Sequence, residues 1–106
     1  MSIKINAVES GKTITVHAEG EVDVSNASEL RDAIDAALKK APERIVVDLA
    51  EVPYIDSTGI GVLVGAAHHG RDEGVALSVT NQQKNVARVL GMLGVEGELG
   101  AGDFAE

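Results

Sequence analysis

One stretch decides the fold of this chain: residues 45–65, which read IVVDLAEVPYIDSTGIGVLVG. Its first five residues form a β-branched run without alternation, which predicts a strand buried on both faces. A helix is predicted over Thr58–His69. Asp56, Ser57 and Thr58 then stand just past a strand, where the next helix begins. An acid and two hydroxyls at such a junction raise the question of what chemistry they perform.

Apolar and polar residues alternate in two segments before this stretch, residues 3–8 and 13–19. This pattern predicts a β-hairpin with one solvent-exposed face. A helix follows. Asn26 and Glu29 fit a capping box at its start, with Ser25 as the rival cap. The apolar residues of this helix repeat at helical spacing, at Ala27, Leu30, Ile34 and Leu38.

Downstream, residues 75–79 predict a second buried strand, and Asn81 is placed to cap a third helix that Gly94 ends. That helix shares an apolar face: Val86, Val89, Leu90 and Leu93. The order is β-β-α-β-α-β-α, with a possible short final strand around Leu99. Strands joined through helices run parallel. The prediction is a small α/β fold, a mixed sheet with helices packed on it, within a single domain over residues 1–106.

Composition excludes several classes of function. The 106 residues include 17 Asp+Glu against 9 Lys+Arg, a net charge of −8, which disfavours nucleic acid and membrane surfaces and favours a basic protein partner. The chain has no cysteine, so disulfides, thiol catalysis and cysteine zinc sites are excluded. Neither a signal peptide nor a membrane span is recognisable, so a cytoplasmic location is expected. We expect no cofactor.

The Asp56-Ser57-Thr58 cluster admits several interpretations. Helix capping is the commonest role of these residue types at a helix N-terminus. A serine hydrolase elbow, G-x-S-x-G, would need a glycine where Ile55 stands. No spacing supports a base for such a hydrolase among the three histidines, His17, His68 and His69.

The glycine fingerprint of a dinucleotide-binding fold is partly matched by Gly59, Gly61 and Gly65. The match is weak, because the chain is too short for the two halves of that fold and has no Gly-Lys-Ser/Thr phosphate loop. Gly61 and Gly65 lie four residues apart on one helix face. We expect them to let this helix lie close to the sheet.

The other polar residues that could act as catalytic groups or metal ligands do not indicate such a site. His68 and His69 are adjacent on a helix and point about 100° apart, so they cannot easily share one ion. His17 occupies a wet strand position, where simple exposure is expected. Asp48 is interpreted as a polar residue that terminates a strand.

A modified serine is the remaining interpretation. A hydroxyl exposed at a helix N-terminus is a favourable position for phosphorylation, because free N–H groups and the helix dipole stabilise the added charge. Asp56, beside Ser57, would repel that charge. Such a modification alters the local surface without melting the helix, which suits a switch.

Two segments carry a resemblance to a known family. Residues 46–49 together with residues 54–63, which contain Asp-Ser-Thr-Gly, resemble the signature of STAS domains, in particular of the anti-sigma factor antagonists. Residues 20–23, before residues 27–31, resemble the strand-to-helix loop of the family. The usual C-terminal helix is the departure, because Gly100 to Glu106 is short and glycine-rich.

The resemblance implies a non-enzymatic partner switch that regulates transcription. The unphosphorylated antagonist would bind an anti-sigma factor that is also a serine kinase, and this frees the sigma factor. Phosphorylation of Ser57 would end the binding, and a serine phosphatase would reset it. Asp23 matches the acidic loop residue of the family, and Asp23, Asp56, Thr58 and Gly59 are expected to contact the partner. The alternatives are a non-switching STAS scaffold subunit of a transport or signalling assembly, and a small serine hydrolase.

Overall fold

The computed structural model describes residues 3–100. The elements follow the predicted order β-β-α-β-α-β-α: β1 (Lys4–Ser10), β2 (Thr13–Glu19), α1 (Ala27–Leu38), β3 (Arg44–Glu51), α2 (Ser57–Asp72), β4 (Ala76–Thr80) and α3 (Lys84–Leu93). The predicted mixed α/β fold is confirmed. Apart from Gly100, the segment compared with the last helix of the family lies outside the described residues.

The four strands lie side by side in chain order, β1-β2-β3-β4. β1 pairs with β2 in antiparallel fashion, and β2, β3 and β4 run parallel. Right-handed crossovers between parallel strands that follow one another in this way place their connecting helices on the same face of the sheet. The opposite face therefore receives no crossover helix.

Burial along the strands follows from this one-sided arrangement. In β3, Ile45, Val47 and Leu49 are buried, whereas Val46 and Asp48 between them are only partly buried. β4 alternates in the same way. The prediction of strands buried on both faces was wrong, because an unbroken β-branched run does not reveal on which side the helices pack.

The buried apolar side chains of residues 3–100 form one aliphatic cluster between the sheet and the helices. α1 contributes Leu30, Ile34 and Leu38, as its periodicity predicted. In α3 the face is narrower than expected, because Val86 and Leu90 are buried but Leu93 is 50% exposed.

The structure corrects both predicted helix caps. Asn26 is the N-cap residue of α1, as predicted, but its side chain makes no capping hydrogen bond to the helix. At the start of α3 the N-cap is Gln83 rather than Asn81. Asn81 has a left-handed φ of 59°, so the chain turns there before the helix begins.

The segment after α3 covers the outer edge of β4. Gly94 ends the helix in the left-handed conformation expected of a C-terminal glycine, with φ 69°. The Leu99 side chain is fully buried, and its carbonyl accepts a hydrogen bond of 2.9 Å from the Val79 N–H. This segment consists of turns, so it stands where the short final strand was predicted without forming one.

The glycines of α2 do not pack as predicted. Gly61 and Gly65 are exposed, and a Cβ atom on either would meet nothing within 4 Å. Gly59 is the buried one, where a Cβ would lie 2.7 Å from Ile55 Cγ1 and 2.8 Å from Val22 Cγ1. The reason is helical phase: positions 59, 60, 63, 66, 67 and 70 face the core.

Alanine substitutions in α2 test this packing. Gly59→Ala should destabilise the fold by about 1–3 kcal/mol, because the added methyl overpacks two buried side chains. Gly61→Ala and Gly65→Ala are the matched controls, and each should stabilise it by up to about 1 kcal/mol through helix propensity. Equilibrium urea denaturation measures all three. Destabilisation by Gly61→Ala or Gly65→Ala of the same size as by Gly59→Ala would contradict the assigned faces.

Candidate functional site

The N-terminus of α2 carries the Asp-Ser-Thr cluster. Asp56 is the N-cap in extended conformation, and its Oδ1 accepts a hydrogen bond of 3.0 Å from the Gly59 N–H. Ser57 and Thr58 occupy the first two helical positions, where a backbone N–H has no partner within the helix. Both are exposed. The Ser57 hydroxyl is thus accessible to solvent at the positive end of the helix dipole.

The loop before α1 and the loop before α2 are joined by a parallel β-bridge between Val22 and Ile55. The Val22 N–H donates to the Tyr54 carbonyl at 2.9 Å, and the Asp56 N–H donates to the Val22 carbonyl at 3.1 Å. Both bridge side chains are buried, with 0% exposure for Val22 and 1% for Ile55. The bridge brings Asp23 to the same edge of the sheet as Asp56 and Ser57.

Asn26 holds the first loop from inside. Its side chain is buried, its Oδ1 accepts a hydrogen bond of 2.9 Å from the Asp23 N–H, and its Nδ2 donates to the Glu21 carbonyl at 2.9 Å. Sequence reasoning missed this role, because an Asn before a helix is equally typical of a cap. A loop held in this way presents Asp23 in a fixed position.

The carboxylate of Asp23 is turned toward Ser25. Its Oδ1 accepts hydrogen bonds from the Ser25 hydroxyl at 2.5 Å and from the Ser25 N–H at 2.9 Å. The hydroxyl bond, followed by the backbone bond, lowers the pKa of Asp23 below its ordinary value. Asp23, which is ionised at neutral pH, therefore keeps its charge to a lower pH than a free carboxyl does, and the two hydrogen bonds fix its position.

A groove of about 770 Å³ runs between α1 and α2, beginning at Thr58 beside Ser57. It is open because Gly61 and Gly65 have no side chains on the α2 side. Polar side chains from both helices and from their C-terminal ends line it: Arg31, Asp35, Lys39, His69 and Glu73. The cluster at the N-terminus of α2 thus continues into a concave surface.

The three histidines each contact a carboxylate away from Ser57. His17 Nδ1 lies 2.9 Å from Asp48 Oδ2, His68 Nε2 lies 3.4 Å from Glu98 Oε1, and His69 Nε2 lies 3.3 Å from Glu73 Oε2. This arrangement gives no support to a histidine base for a Ser57 hydrolase. Residues 3–100 contain no group of three or more His, Cys, Asp or Glu side chains that could hold a metal ion.

His17 and Asp48 form a cross-strand pair that the sequence did not reveal. Asp48 lies inside β3, opposite His17 of β2, on the face opposite the crossover helices. Its Oδ1 also accepts hydrogen bonds from the Ala50 N–H at 3.0 Å and from Asn81 Nδ2 at 3.2 Å. The expectations of a strand terminator and a simply exposed histidine were wrong, because they required a register that only the folded sheet supplies.

The hydrogen bonds of Asp48 decide its ionisation. Desolvation by partial burial raises its pKa, but the bonds from the Ala50 N–H and Asn81 and the nearby His17 outweigh it, so the pKa of Asp48 lies below its ordinary value. A carboxylate whose pKa is lower in the folded than in the unfolded chain stabilises the fold above its unfolded pKa, which is about 4. That stabilisation is lost as the pH falls through the lowered pKa.

Asp48→Asn tests this charge. The variant should be less stable than the wild type at pH 7 by about 1–2 kcal/mol, because charge-assisted hydrogen bonds are weakened. The difference should shrink below about pH 4, where the wild type loses the same charge. Urea denaturation between pH 3 and pH 7 measures it, with Asp72→Asn, at an exposed position, as the control. A difference that stays constant over this range would contradict the assignment.

Fold and site together define a small α/β domain with an accessible serine at a helix N-terminus beside fixed carboxylates. The chain belongs to the STAS domain family: a family model described as "Mlab, STAS domain" matches residues 5–101. The anti-sigma-B factor antagonist of Bacillus subtilis (strain 168) is 28% identical over 96 residues, which cover 91% of this chain and 87% of that protein.

Solved structures share the fold. The crystal structure of an anti-sigma factor antagonist from Mycobacterium paratuberculosis superimposes with a TM-score of 0.81 at 22% identity, over 90% of this chain and 80% of that one. The anti-sigma factor antagonist SpoIIAA in its unphosphorylated form gives a TM-score of 0.78 at 18% identity, over 98% and 88% of the two chains. Among residues 3–100, none of the helices combines the length and the apolar character needed to cross a bilayer.

The predicted site residues fall into two groups. Ser57, Thr58, Asp56 and Asp23 lie at the same edge of the sheet, and the first two of these are exposed. Gly59 lies beneath them, buried against Val22 and Ile55. Its position lets α2 begin where it does, and a direct contact between Gly59 and a partner stays a prediction.

Proposed function

We propose that this chain is an anti-sigma factor antagonist whose partner switch is operated by phosphorylation of Ser57. The observation that carries the proposal is the exposed Ser57 hydroxyl at the first position of α2, flanked by the Asp56 cap. The relatives named as anti-sigma factor antagonists support it. In this proposal the unphosphorylated form binds an anti-sigma factor with serine kinase activity in the cytoplasm, and a serine phosphatase reverses the modification.

The fold tolerates a phosphate on Ser57. The N–H groups of the first helical turn and the positive end of the dipole favour an anion at this position. The hydroxyl is exposed, so the added group enters solvent rather than the core. Phosphorylation therefore changes the surface and leaves the packing of α2 intact.

The same phosphate opposes a bound partner. It adds a charge of about −1.5 to −2 at neutral pH. A partner that closes over Ser57 removes water from this charge, and the Asp56 and Asp23 carboxylates repel it. Enclosing an unpaired charge is more unfavourable than losing one hydrogen bond, so a single modification suffices to end the complex.

The phosphoacceptor should be Ser57 and not Thr58. We expect one phosphate on the wild type after incubation with ATP and the cognate serine kinase of the source organism, and none on Ser57→Ala. Thr58→Val should be modified as the wild type is. Intact mass and peptide mapping measure this. Phosphate mainly on Thr58 would overturn the assignment.

The absence of modification by every candidate kinase would favour the non-switching STAS scaffold. Labelling of Ser57 by a fluorophosphonate would favour the hydrolase.

Charge at position 57 should weaken binding to the kinase. Ser57→Ala should change the dissociation constant by about 5-fold or less, the equivalent of one hydrogen bond. Ser57→Asp should weaken binding by about 10-fold or more, although less than phosphate does, because aspartate carries one charge.

Calorimetric titration measures this binding. Ser10→Asp, an exposed serine at the opposite end of the sheet, is the control for added charge. Tight binding of Ser57→Asp combined with loss of binding by Ser57→Ala would show that the partner requires the hydroxyl itself.

A further inference from the structure

Two exposed apolar side chains flank the N-terminus of α2. Val24, in the loop before α1, is 75% exposed, and Tyr54, in the loop before α2, is 48% exposed. The other large apolar side chains that residues 3–100 expose lie elsewhere, on β1 and at the end of α3: Val8, Met92 and Leu93. Apolar side chains this exposed near a surface that binds a protein are candidates for its anchors.

The backbone around both side chains is already ordered. The Tyr54 carbonyl accepts the hydrogen bond from the Val22 N–H within the loop bridge. Val24 lies between Asp23 and Ser25, whose side chains are hydrogen-bonded to each other. Anchors on a preordered backbone lose little conformational entropy when they bind, so more of their burial appears as affinity.

The charged side chains of the two loops that carry the anchors have one sign. Residues 20–26 and 50–57 contain four carboxylates and no lysine or arginine: Glu21, Asp23, Glu51 and Asp56. Glu21 and Glu51 are exposed. A protein surface complementary to this edge has an apolar centre and a basic rim.

We infer that Tyr54 and Val24 are the apolar anchors of this site, and that they enter an apolar pocket of the kinase partner whose basic rim faces Glu21 and Glu51. The inference rests on the proposed function and adds the chemistry of the partner surface to it. Tyrosine supplies a large contact area, and tyrosine is enriched among the residues that dominate binding energy.

The anchors also explain how a phosphate ends an interaction with a basic partner. A basic rim alone would attract the phosphate. If an apolar pocket of the partner instead packs on Tyr54 and Val24, it excludes water from Ser57. A phosphate there loses its hydration and gains no cation in return. Release thus depends on the apolar contact.

The test uses the kinase that phosphorylates Ser57 in the mass experiment and measures dissociation constants by calorimetry. Tyr54→Ala should weaken binding about 30-fold, the effect of a strong anchor, and Val24→Ala about 5-fold. Tyr54→Phe should bind within about 3-fold of the wild type, because the ring supplies the contact. Met92→Ala removes an apolar side chain that is 77% exposed on α3, and it should have no effect.

A double-mutant cycle tests the link to the switch. Ser57→Asp should weaken binding less in the Tyr54→Ala background than in the wild type, because the dry contact is already lost. Binding should also weaken with added salt, and Glu51→Gln should reduce that salt dependence. As a control for folding, the midpoint temperature of thermal unfolding of each variant should equal that of the wild type.

The outcomes separate the two proposals. Normal phosphorylation of Ser57 with unchanged affinity of Tyr54→Ala and Val24→Ala overturns the anchors and leaves the switch in place. Affinity independent of salt and of Glu51→Gln overturns the basic rim. Absence of phosphorylation by every candidate kinase overturns the proposed function, and this inference with it.

Discussion

The parallel bridge between Val22 and Ile55 is the interaction on which the site depends. Its two backbone hydrogen bonds join the loops before α1 and α2 and so fix Asp23 relative to Ser57. The bridge is buried, and Gly59 packs beneath it with no room for a Cβ atom. A glycine that seems to belong to a phosphate fingerprint therefore acts as a packing residue, since it lets the first turn of α2 approach the two side chains that join the loops.

The order of the strands explains why the site lies where it does. Three parallel strands that follow one another in the sheet end at the same edge, so the N-termini of the helices that follow β2 and β3 meet there. Their positive dipole ends share this edge with several carboxylates. The same order leaves one face of the sheet without a crossover helix, and on that face His17 and Asp48 form a pair between β2 and β3.

Much of the fold could be predicted because it depends on local pattern. Apolar periodicity located α1, and the Asp-Ser-Thr sequence located the start of α2. The errors share one cause, which is that pattern does not tell which neighbour a residue meets. Gly61 and Gly65 were assigned to the wrong face because helical phase relative to the sheet is a tertiary property. Asn26 fits a cap in sequence, but in the fold its amide finds two loop backbone groups.

The negative charges at the site are compatible with a switch that has to be reset. Asp56 already occupies the Gly59 N–H, so a phosphate on Ser57 would find mainly the two preceding N–H groups of the helix. The Asp23 carboxylate is ionised at neutral pH, the hydrogen bonds from Ser25 hold it in place, and it repels the phosphate from the same edge. A lysine or arginine in these loops would instead form an ion pair with the phosphate and make it less accessible to a phosphatase. In the proposed switch, weak support and steady repulsion keep the phosphate exposed, so that a phosphatase reaches a group that the protein does not hold tightly.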